Sequence, residues 1–532
     1  MLELTVVSSL SKPPFTAAKT DGLWLLRGER AGLQLCLLSD KDAAAEVFVE
    51  SPLPCTLYTV EEVYSGLPVV ADRVNCTVLG GGKPGVYPDL LRPTDGGISL
   101  EAGRQKTLWI EFSADEPGEH RARFTAATEE ETESADALVR VSATPLPAQS
   151  LIVTDWFHAD CLAAVYNVDV WSEAHWAIVG KFMKNAVFHG VNCIYTPLFT
   201  PALDTAVGHE RPTTQLLDVY YENGEYTFDF SRLSRWIALA EDAGIRYFEF
   251  SHFFTQWGAK RCPKVIVTEN GKAEKRFGWE EDALSPAYVR LLTSLGAGLT
   301  AFTNERGLTR RCFVHVSDEP GEDDLLQYER CAALIHSAFG AFTHLDALSD
   351  LPFYEKGLVQ VPVPSEGAFP KFAAAGVKNA WTYYCCGQFN NEEPNRFFCM
   401  PSARNRVLGA LLWKFCCRGF LHWGFNFYFT QYSLRAVDPF TETDAGGAFP
   451  SGDSFIVYPG KNGEPLPSLR EKVFFDAVQD YAALTAYEEK YGRKAAEELL
   501  EAALGDVDFH RYPMEEKPYE DLRKALWRGL EK

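Results

Sequence analysis

The sequence is poor in positive charge: 51 lysines and arginines stand against 73 aspartates and glutamates, a net charge of -22. Nucleic acid or an anionic membrane would need a basic surface, so neither is expected as a partner. Long apolar runs are also missing. The most apolar stretch, Val407 to Thr430, is broken by Lys414 and Arg418, which leaves no credible membrane span. The 13 cysteines form no CxxC pair and no zinc-ribbon spacing. Several of them, such as Cys193, Cys312 and Cys331, lie inside apolar patterns where they act as small hydrophobes. That usage suits a reducing compartment, and Met1-Leu2-Glu3-Leu4 carries no export-signal pattern, so a cytoplasmic location is expected. The run Gly80-Gly81-Gly82 lacks the lysine-serine/threonine ending of a phosphate loop. No glycine-rich dinucleotide turn follows the strand at Leu151. No cofactor is implied.

What is present is aromatic and acidic. The chain has 12 Trp and 22 Tyr, and aromatic faces suit the apolar faces of sugar rings. At 532 residues it is too long for one ordinary domain. Residues 1–147 alternate in short β-rich runs, such as Thr107 to Phe112, separated by Gly, Pro and Asp clusters, and predict an all-β sandwich. Thr144-Pro145-Leu146-Pro147-Ala148 has the composition of a linker. From Leu151 strands and helices alternate, with eight strands starting near Leu151, Val191, Tyr247, Phe313, Thr343, Leu358, Asn379 and Phe420. That rhythm predicts an α/β fold, a (β/α)8 TIM barrel over 148–490, followed by a charged helical tail over 491–532.

The stretch Cys312-Phe313-Val314-His315-Val316-Ser317-Asp318-Glu319-Pro320 reads as a buried strand that runs into two adjacent carboxylates. Barrels keep their chemistry at the C-terminal ends of their strands. Polar and aromatic residues collect at the other strand ends too: Asp155, Trp156 and His158; His252 and Trp257; Asp346; Trp381 and Tyr383; Trp423 and Asn426. Together they predict an acidic, aromatic-walled cleft without a basic centre, suited to a neutral carbohydrate. Plainer readings stand beside this one. Asp318 and Glu319 could be solvated acids opening a helix after Pro320, and His315 could be a core histidine. A metal site from His158, His252 and His315 lacks compact spacing. Asp453 and Arg470 read as a structural tie.

Glycoside cleavage needs an acid for the leaving oxygen and a group that stabilises charge at the anomeric carbon. Two-carboxylate enzymes place those groups on opposite sides of the sugar, and neighbouring residues of one strand diverge. An adjacent pair instead suits attack by the substrate's own 2-acetamido group, with Glu319 as acid and base and Asp318 holding the acetamido N–H. The rival is a second carboxylate from Asp155, Glu249 or Asp346 acting on a non-acetamido sugar. A carbohydrate-binding or scaffold protein on a decayed barrel is the non-enzymatic alternative.

Several segments occur in a characteristic order: Asp155-Trp156-Phe157-His158, His252 to Ala259, His315 to Pro320, Gly419 to Gly424, and Gly452 to Gly460 with Ser468-Leu469-Arg470 after it. In these the chain resembles the domain-of-unknown-function family 4091, related to glycoside hydrolase family 123. Tyr87-Pro88-Asp89 extends the resemblance weakly toward the N-terminus. The resemblance implies a β-sandwich, a (β/α)8 barrel and a substrate-assisted β-N-acetylgalactosaminidase. Its adjacent Asp-Glu pair maps onto Asp318 and Glu319, and its aromatic site positions onto Trp381, Tyr383 and Trp423.

Overall fold

The computed structural model describes residues 1–70 and 74–531. The N-terminal part contains two five-stranded sheets. One runs in the order Leu2–Ser8, Arg30–Ser39, Lys106–Ser113, Cys55–Ser65, Gly85–Pro93. The other runs Gly22–Arg27, Thr132–Pro145, Gly118–Ala127, Ala43–Glu50, Gly97–Leu100. Alternation decides which face is inside. In Gly118–Ala127, Ala122, Phe124 and Ala126 are buried while their neighbours face outward. They meet Leu33, Leu35, Leu108 and Ile110 of the facing sheet in one core, which makes the two sheets a sandwich.

Eight parallel strands follow in chain order: Ile152–Asp155, Cys193–Thr196, Tyr247–Phe250, Cys312–Val314, Thr343–Ala347, Val361–Val363, Trp381–Tyr383 and Gly419–His422. They are short and almost entirely buried, as strands covered on both faces must be. The first strand pairs with both the second and the eighth. The sixth and seventh meet through one bridge, Ser365 with Tyr383. The Tyr383 amide donates to Pro364 O at 3.2 Å, and the Glu366 amide to Tyr383 O at 3.0 Å. The result is a nearly closed eight-stranded barrel.

Helices cover the barrel, and their ends follow local chemistry. Glu173–Phe188 is capped by the Ser172 hydroxyl, and Pro286–Glu305 by Ser285 with a proline in its first turn. Ser231–Ala243 stops at Gly244, whose φ of 107° suits glycine. After the fifth and sixth strands the helices shrink to Leu351–Glu355 and Phe369–Ala374. The expected helix from Ala403 to Cys417 is split into Ala403–Arg406 and Leu408–Lys414.

Two hairpins absent from the sequence reading shape the barrel mouth. Asp218–Glu222 with Glu225–Asp229, and Val265–Glu269 with Lys272–Phe277, join into a four-stranded sheet. This sheet welds the excursions after the second and third strands into one wall. Sandwich and barrel are tied by a buried pair. Arg470 donates to Asp89 through Nε at 2.7 Å and Nη2 at 3.0 Å, and its Nη1 reaches the carbonyls of Gly452 and Phe455. That corrects the expected Asp453–Arg470 tie: a buried guanidinium needs every donor matched, and Asp89 supplies the charge. The last helix, Lys517–Glu531, leans on the sandwich, with Trp527 and Trp24 ring centroids 4.9 Å apart.

Candidate active site

The fourth strand ends at Val314, and its continuation climbs into the barrel mouth. Glu319 there adopts a φ of 44°, the left-handed region. A non-glycine residue holds this conformation at a cost of about 1–3 kcal/mol, met only where the surroundings enforce it. Two backbone bonds do so: the Glu319 amide donates to Ala347 O at 3.0 Å, and the Trp257 amide to Asp318 O at 3.0 Å. The kink interrupts the alternation of an extended chain, so Asp318 and Glu319 both line one cleft of about 280 Å³. Buried Trp156, Leu421, Ala347 and Tyr383 form its inner end. Trp423 and Phe449 are half-buried, and Trp257 is exposed.

By surface area Asp318 is half-buried and Glu319 exposed, and both line the cleft. No cation faces either carboxylate across the cleft among the described residues. Burial, then the charge of Glu319, pushes the Asp318 pKa well up. Burial also raises Glu319. The Tyr383 hydroxyl, which donates to its Oε1, works against that rise, and Asp453 adds to it. Burial and the neighbouring charge thus favour retention of a proton on the pair.

Behind the pair lies a buried polar cluster. His315 Nε2 is 2.7 Å from Glu249 Oε1, and its Nδ1 is 3.0 Å from Asp346 Oδ1. Trp156 Nε1 donates to Glu249 at 2.7 Å, and the Val316 amide to Asp346 at 3.1 Å. Burial disfavours charge on His315, yet the bonds to Asp346 and Glu249 outweigh it and raise the pKa to about 9. His315 is therefore an imidazolium at neutral pH. His252 lies against it with tilted rings whose centroids are 4.2 Å apart, and burial, then the His315 charge, holds the His252 pKa well below its ordinary value. Donor atoms of His252, His315 and Asp346 lie within 4.8 Å of one another, a compactness the sequence did not reveal. Both His315 nitrogens are already committed to carboxylates, so the arrangement is that of a charged histidine between two acids.

A sequence profile of the glycoside hydrolase 123 catalytic domain matches residues 156–487. The chain belongs to glycoside hydrolase family 123. Its structure is similar to a family 123 glycoside hydrolase from Clostridium perfringens, described for glycolipid glycan hydrolysis. The TM-score is 0.72 at 14% identity, over 100% of this chain and 97% of that one. Likeness at that identity speaks for the fold alone. β-Glucuronidase 2 of Bacteroides uniformis and the β-glucuronidase of Parabacteroides merdae align far more weakly. Their TM-scores are 0.31 and 0.33 at 12% and 11% identity, over 92% and 90% of this chain and about half of each enzyme. No curated protein matches the sequence. The protein is a glycoside hydrolase acting on carbohydrate. No helix among the described residues is long and apolar enough to cross a membrane.

The family 123 cleft gathers Asp318, Glu319, Trp156, Trp257, Tyr383 and Trp423 from the expected set. The others sit elsewhere, for identifiable reasons. Asp155 is buried with Oδ2 2.7 Å from Arg396 Nη1. Burial works to raise its pKa, but Arg396 and His422 overcome that and leave it lowered. Asn426 spends both ends of its amide on the His158 backbone, clasping the first strand to the eighth. The His158 ring is enclosed by Arg211 at 3.0 Å and the Trp423 carbonyl at 2.8 Å, and burial, then Arg211, lowers its pKa to about 4. His252 lies beneath the floor, bonded to the Tyr195 hydroxyl at 3.0 Å. Trp381 fills the barrel interior two residues below Tyr383, its ring against Gly419, where a Cβ would come within 2.2 Å. Asp453 braces the wall by accepting from Trp423 Nε1 at 3.0 Å.

Asp204, Gln256, Gln431 and the neighbours Cys385 and Cys386 line the cleft without having been expected there. Gln256 stands inside the His252 to Ala259 segment, which was the available signal. Asp204 had none, because its loop falls between recognisable elements.

Proposed function

We propose that this family 123 enzyme removes a terminal 2-acetamido-2-deoxy-β-glycoside, β-N-acetylgalactosaminidase-like, by substrate-assisted retaining catalysis. The fold is read as a (β/α)8 barrel whose domain runs over 148–490, after a sandwich at 1–147 and before a tail at 491–532. The observation that carries the reading is the left-handed turn at Glu319, which aims two adjacent carboxylates into one cleft. The rival second carboxylates weaken as candidates. Asp155, Glu249 and Asp346 are each buried and bonded away from the cleft.

In the first step the acetamido carbonyl oxygen attacks the anomeric carbon while the glycosidic C–O bond breaks. Glu319 gives its proton to the leaving oxygen. Asp318 accepts the acetamido N–H and balances the positive charge of the oxazolinium ring. In the second step Glu319 takes a proton from water, which attacks the same carbon from the side the leaving group vacated. The ring opens and the β configuration is retained. An N–H bond to Asp318 favours its ionised form, which puts the shared proton on Glu319. The galacto preference is carried over from the family resemblance.

The cleft also holds Asp204, whose pKa burial raises to about 6, against the opposing Tyr432 amide. It is the one observation that favours a two-carboxylate mechanism on a non-acetamido sugar. Aryl β-glycosides matched in leaving group and differing only at C2 separate the two. The proposal expects turnover of the 2-acetamido member alone, with Glu319→Gln suffering least on the best leaving groups. Equal cleavage of the 2-hydroxy member refutes it.

A further inference from the structure

At the outer end of the cleft three separate loops hold non-glycine residues in the left-handed region: Asp204 at φ 40°, Trp257 at 57° and Tyr432 at 61°. Strain of this kind persists where the surroundings over-determine it, and it clusters at ligand clamps. The loops brace one another. Gln256 Oε1 accepts from the Asp204 amide at 2.7 Å, and the Tyr432 amide donates to Asp204 Oδ2 at 3.0 Å. The Trp257 amide is bonded to the Asp318 carbonyl, so the rim is tied to the carboxylate pair. Trp257 and Tyr432 are 47% and 38% exposed, with perpendicular rings whose centroids are 6.3 Å apart. Gln256 is 6% exposed and lines the cleft, yet its Nε2 has no hydrogen-bond partner. A buried donor left unmatched is destabilising, and a ligand acceptor at that point would relieve it.

The inner end of the cleft is closed by buried Trp156, Leu421 and Ala347. A terminal sugar seated there directs the rest of its chain outward, over this rim. We propose that the rim binds the sugar attached to the cleaved residue, with Trp257 on its apolar face, Tyr432 against its edge, and Gln256 Nε2 and Asp204 on its hydroxyls. The assignment rests on the glycosidase reading above and makes the substrate an oligosaccharide rather than a simple glycoside.

The test compares two substrates with the same 2-acetamido sugar: its β-glycosyl fluoride, which offers nothing to the rim, and a β-linked disaccharide. Trp257→Ala should lower kcat/KM on the disaccharide roughly five- to tenfold more than on the fluoride, and Trp257→Phe should recover most of that difference. Tyr432→Ala is a second probe should Trp257→Ala fold poorly, because the Tyr432 hydroxyl makes no hydrogen bond among the described residues. It should show the same selectivity. Equal losses on both substrates, or none, overturn the assignment. So does a wild type that cleaves the fluoride alone, while leaving the chemistry intact. A wild type that cleaves neither overturns the glycosidase reading itself.

Discussion

Two sets of acids share the mouth of this barrel, and they are built differently. Asp155, Glu249 and Asp346 are buried and matched: Asp155 by Arg396, the other two by the charge of His315, one ring N–H to each. Asp318 and Glu319 face the cleft with no cation, and their only side-chain partner among the described residues is the Tyr383 hydroxyl on Glu319. Matched acids hold a fold together, whereas unmatched neighbouring acids retain a proton that a substrate can use. Removing a member of the first set should therefore cost stability, and removing a member of the second should cost turnover.

The largest expected effects fall on the cleft pair. Asp318→Asn and Glu319→Gln should each lower kcat/KM by roughly 10²- to 10⁴-fold. Their denaturant midpoints should be unchanged or raised, because each removes a carboxyl whose ionisation burial disfavours. A loss of stability in either variant would move the pair into the structural set. Next comes Arg396→Met, which strands the buried Asp155 carboxylate. Breaking a buried pair from one side costs about 3–5 kcal/mol, to be read as a lower urea midpoint.

The sequence made the two sets look alike. It exposed the Cys312 to Pro320 stretch, because a buried strand ending in two acids needs no distant partner to be recognised. It also exposed the strand–helix rhythm, because that is local periodicity. It did not separate Asp155 from Asp318, since the Arg396 that claims Asp155 lies 241 residues away. Trp381 and Tyr383 share an inward face at a spacing of two, and only barrel depth makes one of them interior packing and the other a cleft residue. The left-handed turn at Glu319 is enforced by bonds to Ala347 and Trp257 from other loops, so no local residue preference announces it.

A pH measurement sharpens the contrast further. His315 has a folded pKa of about 9 against an ordinary 6.5. Its proton therefore adds stability in full below about pH 6.5, and that stability is lost as pH rises through about 9. His315→Gln should be less stable at pH 6 and should flatten the fall in denaturant midpoint between pH 6.5 and 9. The smallest effect concerns Tyr383→Phe. The hydroxyl donates to ionised Glu319 and holds its pKa down. Its removal should shift the alkaline limb of the kcat/KM profile to higher pH and cost roughly tenfold or less in rate.

The central claim is that the substrate supplies the nucleophile, and progressive fluorination of its acetyl group tests it most directly. Replacing N-acetyl by N-fluoroacetyl, N-difluoroacetyl and N-trifluoroacetyl, with the leaving group fixed, drains electron density from the attacking carbonyl oxygen. The account predicts a steep, monotonic fall in kcat/KM along the series, on the order of a hundredfold or more overall. A flat series would mean that the acetamido group does not attack, and would return the nucleophile to the protein.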